Sequence, residues 1–148
     1  MQYTAIIPQV TSLRFPPPTL RSIQARDTYQ VLAALHRRMN GIGWPRRGGW
    51  GSYLIRKSQA ELDEGRVYGV KSQSGSVELL MLSSNNVRGR IPAMIARLGS
   101  LKCINFSDNH ISGPIPAELG LLLQLQTLQL QGNNLRGEWE SYLHFAGS

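Results

Sequence analysis

The octapeptides NNVRGRIP from Asn85, NHISGPIP from Asn109 and NNLRGEWE from Asn133 stand 24 residues apart. This short, regular period constrains the chain more than any other feature. A unit of that size cannot bury its own apolar side, so successive units must stack and share one core. In register the units read VELLMLSSNNVRGRIPAMIARLGS from Val77, LKCINFSDNHISGPIPAELGLLLQ from Leu101 and LQTLQLQGNNLRGEWESYLHFAGS from Leu125. Their apolar columns are Val77/Leu101/Leu125, Leu80/Ile104/Leu128, Leu82/Phe106/Leu130 and Val87/Ile111/Leu135.

The spacing of two between Leu80 and Leu82 is strand spacing. Both turn to one face while Leu79, Met81 and Ser83 turn to the other. Three such strands predict a short parallel sheet. Asn85, Asn109 and Asn133 occupy one column, where the chain turns inward and leaves backbone N–H and C=O groups away from water. An Asn amide offers both a donor and an acceptor, so this column reads as a structural ladder. Gly89 and Gly113 permit backbone angles closed to other residues. Pro92 and Pro116 then stop extended pairing and launch short helical turns over Ala93–Leu98 and Ala117–Leu122.

The pattern L-x-x-L-x-L-x-x-N-x-L-x-G-x-I-P-x-x-L-G resembles the plant-type leucine-rich repeat, and LKCINFSDNHISGPIPAELG matches it almost throughout. The resemblance is specific over residues 77 to 137. Upstream, DTYQVLAALHRRMNGIGWPRRGGW followed by YGVKSQSGSVELLML is similar to the N-terminal cap that precedes such repeats in some algal, protist and bacterial proteins. The expected fold is therefore α/β: a short leucine-rich repeat solenoid, a right-handed coil with a parallel β-sheet on its concave face and an α-helical N-terminal cap. The resemblance implies protein recognition. In plant extracellular members a pair of cysteines usually flanks the W-x-G-V element of the cap. Tyr68-Gly69-Val70 has none nearby, which points away from extracellular, receptor-type placement.

The expected organisation is a disordered or targeting leader over 1–26, a cap over 27–76, repeats over 77–100, 101–124 and 125–137, and a closing segment over 138–148. In the cap, Asp27 with Gln30 is a capping-box-like start, and Val31, Leu32, Leu35 and Met39 fall at helical spacing before Asn40-Gly41. A helix over roughly Thr28–Met39 follows, with Trp44 and Trp50 packed between helix and sheet. Val67–Lys71 and Val77–Leu82 flank the turn-rich SQSGS and read as a hairpin or a first coil. Residues 51–66 fit no part of the cap. At the other end Trp139, Tyr142, Leu143 and Ala146 keep helical spacing and suit an amphipathic closing turn.

At 148 residues, with 41% hydrophobic and 17% charged, the chain suits one globular domain. It holds no apolar run long enough to span a membrane. The start, MQYTAIIPQVTSLRFPPPTL, lacks the basic and apolar regions of a secretory signal; without an acidic residue before Asp27 it weakly fits an organelle transit peptide. The expected location is intracellular, the cytoplasm favoured, with organelle import the alternative and secretion disfavoured. Cys103 is the one cysteine, so no internal disulfide forms.

Catalysis has little to stand on. His36, His110 and His144 keep no metal-ligand spacing, and Ser83, Ser84 and Ser107 lack a G-x-S-x-G elbow. His110 reads as an exposed coil residue. Glu61, Asp63 and Glu64 read as a solvated, helical surface stretch rather than an acid/base pair. Gly41, Gly43, Gly48, Gly49 and Gly51 lack the spacing of a phosphate cradle and read as a flexible surface loop. Asn105-Phe106-Ser107 is a glycosylation sequon that matters only for an exported chain. No cofactor or metal is expected.

The net charge of +7 lies in the first half: residues 1–76 carry eleven Lys and Arg against four Asp and Glu, residues 77–148 five against five. Arg37, Arg38, Arg46, Arg47, Arg56 and Lys57 interleave with Trp44, Trp50 and Tyr53, a mixture that phosphates and stacked bases would suit. Nucleic-acid binding is thus the alternative; a fragment of a larger receptor-type repeat protein is a further one. The leading expectation is a non-enzymatic module that binds a protein or peptide through its concave face. The face is expected to present Leu79, Met81, Ser83, Cys103, Asn105, Ser107, Asp108, Thr127, Gln129 and Gln131. The sequence leaves the oligomeric state open.

Overall fold

The computed structural model describes residues 20–137. Most of the expected leader, and the expected closing segment with Trp139, Tyr142, Leu143, His144 and Ala146, lie outside the described residues.

The 24-residue period becomes a sheet register. Strands β2 (Ser76–Met81), β4 (Cys103–Asn105) and β6 (Thr127–Gln129) run parallel. Leu79 faces Cys103 and then Thr127; Leu80 faces Ile104 and then Leu128. Strand β1 (Val70–Gln73) joins antiparallel to β2 through a Ser74-Gly75 turn, both residues at positive φ, which makes the hairpin expected there. The fold is an α/β repeat fold with parallel strands.

A second sheet was not foreseen. β3 (Arg88–Gly89), β5 (His110–Pro114) and β7 (Asn134–Arg136) form a parallel three-stranded ladder just after each Asn turn. His110 is thus an exposed strand residue beside Arg88, not a coil residue. Two to five residues per strand are too few to leave a period-2 signal in the sequence.

Between the sheets lies the core. The first two members of every apolar column are buried: Val77 and Leu101, Leu80 and Ile104, Leu82 and Phe106, Val87 and Ile111. Their third members, Leu125, Leu128, Leu130 and Leu135, are half-buried, because among the described residues only one neighbouring coil covers them. Short 3-10 turns at Ala93–Arg97 and Ala117–Leu121 follow Pro92 and Pro116 and bury Ile95 and Leu119.

Helix α1 spans Leu20–Arg38, eight residues longer at its start than the expected Thr28. No Gly or Pro interrupts the chain between Pro18 and Gly41, so nothing stops the helix from running through the expected leader boundary. Asp27 lies inside the helix rather than at its start, and its carboxylate pairs with Arg97. Val31, Leu32, Leu35 and Met39 are buried, as their spacing predicts. Asn40, at φ 55°, ends the helix in the left-handed region.

The glycine-rich segment is anchored rather than loose. The Trp44 indole N–H donates to the Met39 carbonyl (2.8 Å) and that of Trp50 to the Tyr68 carbonyl (2.9 Å). The two rings meet edge to face at 5.2 Å, and both are buried. Gly49 sits at φ 79°, where a Cβ would collide with the Arg66 carbonyl. The unplaced residues 51–66 hold two short helices, α2 (Trp50–Arg56) and α3 (Gln59–Asp63). Trp50, Tyr53 and Leu62 turn inward from them.

One acidic residue of α3 corrects an expectation. Glu61 is buried, accepts from the Ser52 hydroxyl (3.2 Å) and faces Arg56 at 3.8 Å. One Asp63 oxygen accepts from the Ser72 hydroxyl (2.5 Å) and the Gly75 N–H (3.2 Å), so it ties α3 to the β1–β2 turn. Glu61 is thus taken out of solvent, whereas Asp63 and Glu64 stay exposed, Asp63 while holding the hairpin turn to the helix.

Candidate recognition surfaces

The ladder column of Asn85, Asn109 and Asn133 sets where the outward face begins. The Asn109 side-chain oxygen accepts from the Asn85 and Val87 N–H groups, both at 2.9 Å, and its amide donates to the Leu82, Phe106 and Ser107 carbonyls. Asn133 repeats the pattern one coil on, toward Ile111, Phe106 and Leu130. Asn85, in the first coil, faces no earlier repeat. It exchanges two 2.9 Å bonds with the Arg46 backbone instead, which fastens the glycine-rich segment to the repeats.

On the outward face of the first sheet, Met81, Asp108, Thr127, Gln129 and Gln131 are exposed, while Leu79, Ser83, Cys103 and Asn105 are half-buried. Ser107 departs from the expectation: it is buried, and its N–H and hydroxyl both bond to the Asn105 side-chain oxygen at 3.0 and 2.9 Å. The Asn105 side chain folds back over the strand end and covers it. The Cys103 Sγ lies 3.7 Å from the Met81 Sδ, and burial raises the thiol pKa, which favours its protonated form.

Two residues join this face that the repeat pattern alone does not reveal. Lys71 stands opposite Leu79 in the antiparallel register and is exposed. At the rim, the Arg46 guanidinium lies 5.4 Å from the centre of the Tyr68 ring and donates to the Ser83 and Ser84 carbonyls. The face is mostly polar, with charges at its edges.

The three aromatic residues that interleave with the basic ones, Trp44, Trp50 and Tyr53, do not form a surface. Trp44, Trp50 and Tyr53 are each at most 2% exposed, so none offers a face to a nucleic-acid base. His36 lies against both indole rings, and burial first and Arg47 second hold its pKa below the ordinary imidazole value. Burial, and secondarily Tyr29, pushes the Tyr53 phenol well up. Among the described residues no cluster of His, Cys, Asp and Glu has metal-binding geometry, and no helix is long and apolar enough to cross a membrane.

Residues 100–122 match the family model of the leucine-rich repeat. Among solved structures, the BIR2 ectodomain from Arabidopsis thaliana is 32% identical over 54% of the chain and 44% of its own length, with a TM-score of 0.51. The BIR3–SERK2 complex from Arabidopsis thaliana is 29% identical over 55% of the chain and 45% of the other, with a TM-score of 0.50. The ectodomain of the plant membrane receptor kinase GASSHO1/SCHENGEN3 from Arabidopsis thaliana was solved in complex with CASPARIAN STRIP INTEGRITY FACTOR 2. It covers 83% of the chain and 14% of its own, at 22% identity and a TM-score of 0.56, and shows likeness of fold. The chain spans less than half the length of each of these matched proteins. No curated protein matches the sequence. The 24-residue register, the Asn ladder and these likenesses together support a plant-type leucine-rich repeat protein.

Proposed function

We propose that the chain is a non-enzymatic protein-recognition module that binds a protein or peptide through the outward face of the first sheet, the concave face of a short right-handed solenoid. In this reading residues 27–76, with the later part of α1, act as an N-terminal cap over the first coil. One observation carries the proposal: inward neighbours such as Leu80, Ile104 and Phe106 are fixed by packing, while Met81, Thr127, Gln129 and Gln131 between them stand in solvent and make no contact the core depends on. The similar BIR3–SERK2 structure, a complex of two proteins, supports recognition of this kind.

Four strands at about 4.8 Å spacing make a face only about 15 Å wide. This falls short of the roughly 800 Å² per partner of a standard interface, so binding is weak or forms part of a larger assembly. The buried rings of Trp44, Trp50 and Tyr53 take away the stacking platform on which the nucleic-acid alternative relied.

The test uses Met81→Arg and Gln129→Arg together, two exposed positions whose substitution leaves the core and the Asn105–Ser107 turn alone. Partners captured by the full chain from its source are identified by mass spectrometry, and each is then titrated against chain and variant. Loss of binding with an unchanged circular dichroism spectrum is expected. Equal affinity of chain and variant for every partner would remove the first sheet as the binding face.

A further inference from the structure

The outward side of the second sheet differs from that of the first in charge. Arg88, His110, Pro114, Asn134 and Arg136 are exposed there, and Arg90, directly after β3, is exposed as well. The end of α1 abuts the same edge: the Arg88 N–H donates to the Met39 carbonyl (3.2 Å), and Arg37 and Arg38 are exposed beside it. None of the four ion pairs among the described residues uses Arg37, Arg38, Arg88, Arg90 or Arg136. No strand of this sheet contains an Asp or Glu.

Two of these cations are oriented without being neutralised. The Arg88 Nε donates to the Asn86 side-chain oxygen at 3.1 Å. The Arg90 stem lies over the bare backbone of Gly113, where a Cβ would come within 3.0 Å of its Cγ, Cδ and Nε. An amide and a glycine seat thus position two guanidinium groups, and the charge stays available to a ligand.

We propose that this sheet face is a second interaction surface, separate from the first sheet, which takes an extended, carboxylate-rich segment of a protein partner. Arg88 and Arg90 are two residues apart, about 6.7 Å along an extended chain, and acidic residues at alternate positions of an extended segment repeat at that same spacing. A fork of guanidinium donors suits carboxylates held in such a row. Phosphates would meet the same charge, but the strands of this face carry no Trp, Tyr or Phe, and Trp44, Trp50 and Tyr53 are buried, so a single nucleic-acid strand would have only the His110 ring of these strands to stack on.

The experiment is fluorescence anisotropy at low and physiological salt on the full chain, with a labelled peptide of alternating Glu and Thr, its Gln-for-Glu counterpart and an oligothymidylate of equal charge. The chain is expected to hold the Glu peptide at low salt and not the Gln peptide. Arg90→Gln with Arg136→Gln weakens this about tenfold or more, whereas Met81→Arg with Gln129→Arg on the first sheet leaves it no weaker. Should the sheet variant lose its circular dichroism spectrum, Arg37→Gln with Arg38→Gln replaces it with the same expectation. Three results overturn the proposal: no binding of the Glu peptide at low salt, tighter binding of the oligothymidylate with the same arginine dependence, or an equal loss on Arg56→Gln with Lys57→Gln, away from this face.

Discussion

The first half of the described chain and its repeats bury comparable side chains by opposite means. In the repeats each contact recurs: Asn109 donates to the Leu82 carbonyl of the preceding coil as Asn133 donates to that of Phe106, and Ile104 covers Leu128 as Leu80 covers Ile104. Upstream every contact occurs once. Trp44 and Trp50 lock edge to face, Asp63 ties a helix to a turn, and Asn85 holds the Arg46 backbone. A recurring contact is as strong as its neighbours on both sides, while a unique contact has no copy to fall back on. The two regions should therefore fail differently.

Trp50→Ala gives the largest expected effect. It removes a fully buried ring and an indole bond at a contact that has no duplicate, for a loss of about 4 kcal/mol in urea unfolding. Loss of about 1 kcal/mol or less would show that the glycine-rich segment contributes little to the fold.

Next, Asn109→Ala and Asn133→Ala make a graded pair within the repeats. Asn109 is buried and serves two N–H groups and three carbonyls, so its removal leaves several groups unpaired away from water and costs about 3 kcal/mol. Asn133 is half-buried, water can replace it, and about 1 kcal/mol is expected. Equal losses in thermal or urea unfolding would contradict the dependence on neighbours.

The smallest effect is one of pH. The folded pKa of His36 lies below its ordinary value of about 6.5, so folding favours the neutral ring. Its contribution is therefore fully present above about pH 6.5 and declines as pH falls through the lowered folded value. Unfolding midpoints measured between pH 8 and about pH 5 should fall less in His36→Gln than in the parent chain. Identical slopes would mean that the Trp44–Trp50 pocket tolerates the charged ring.

What could be read ahead of the structure followed the same divide. The columns of Leu80, Ile104 and Leu128 state their strand three times over, and the helix over Val31, Leu35 and Met39 states its period within one segment. The second sheet was hidden because Arg88–Gly89 has no pattern of its own and becomes a strand only beside His110 and Ile111. Helices α2 and α3 were hidden because Trp50, Tyr53 and Leu62 find their places only against the rest of the core. Lys71 was missed as part of the outward face because its side depends on pairing with Leu79. Ser107 was expected in solvent, and the Asn105 side chain took it out.

The sequence by itself determined the period, the inward columns, the Asn ladder and the helix end at Asn40-Gly41. Each of these follows from local geometry or from identical units that must stack alike. Only the tertiary structure decided which Asn reaches a preceding coil and which reaches the Arg46 backbone, which carboxylates hold turns, and where the unneutralised arginines gather. Those outcomes depend on residues distant in the chain meeting once, and a contact made once leaves no repeat to be read.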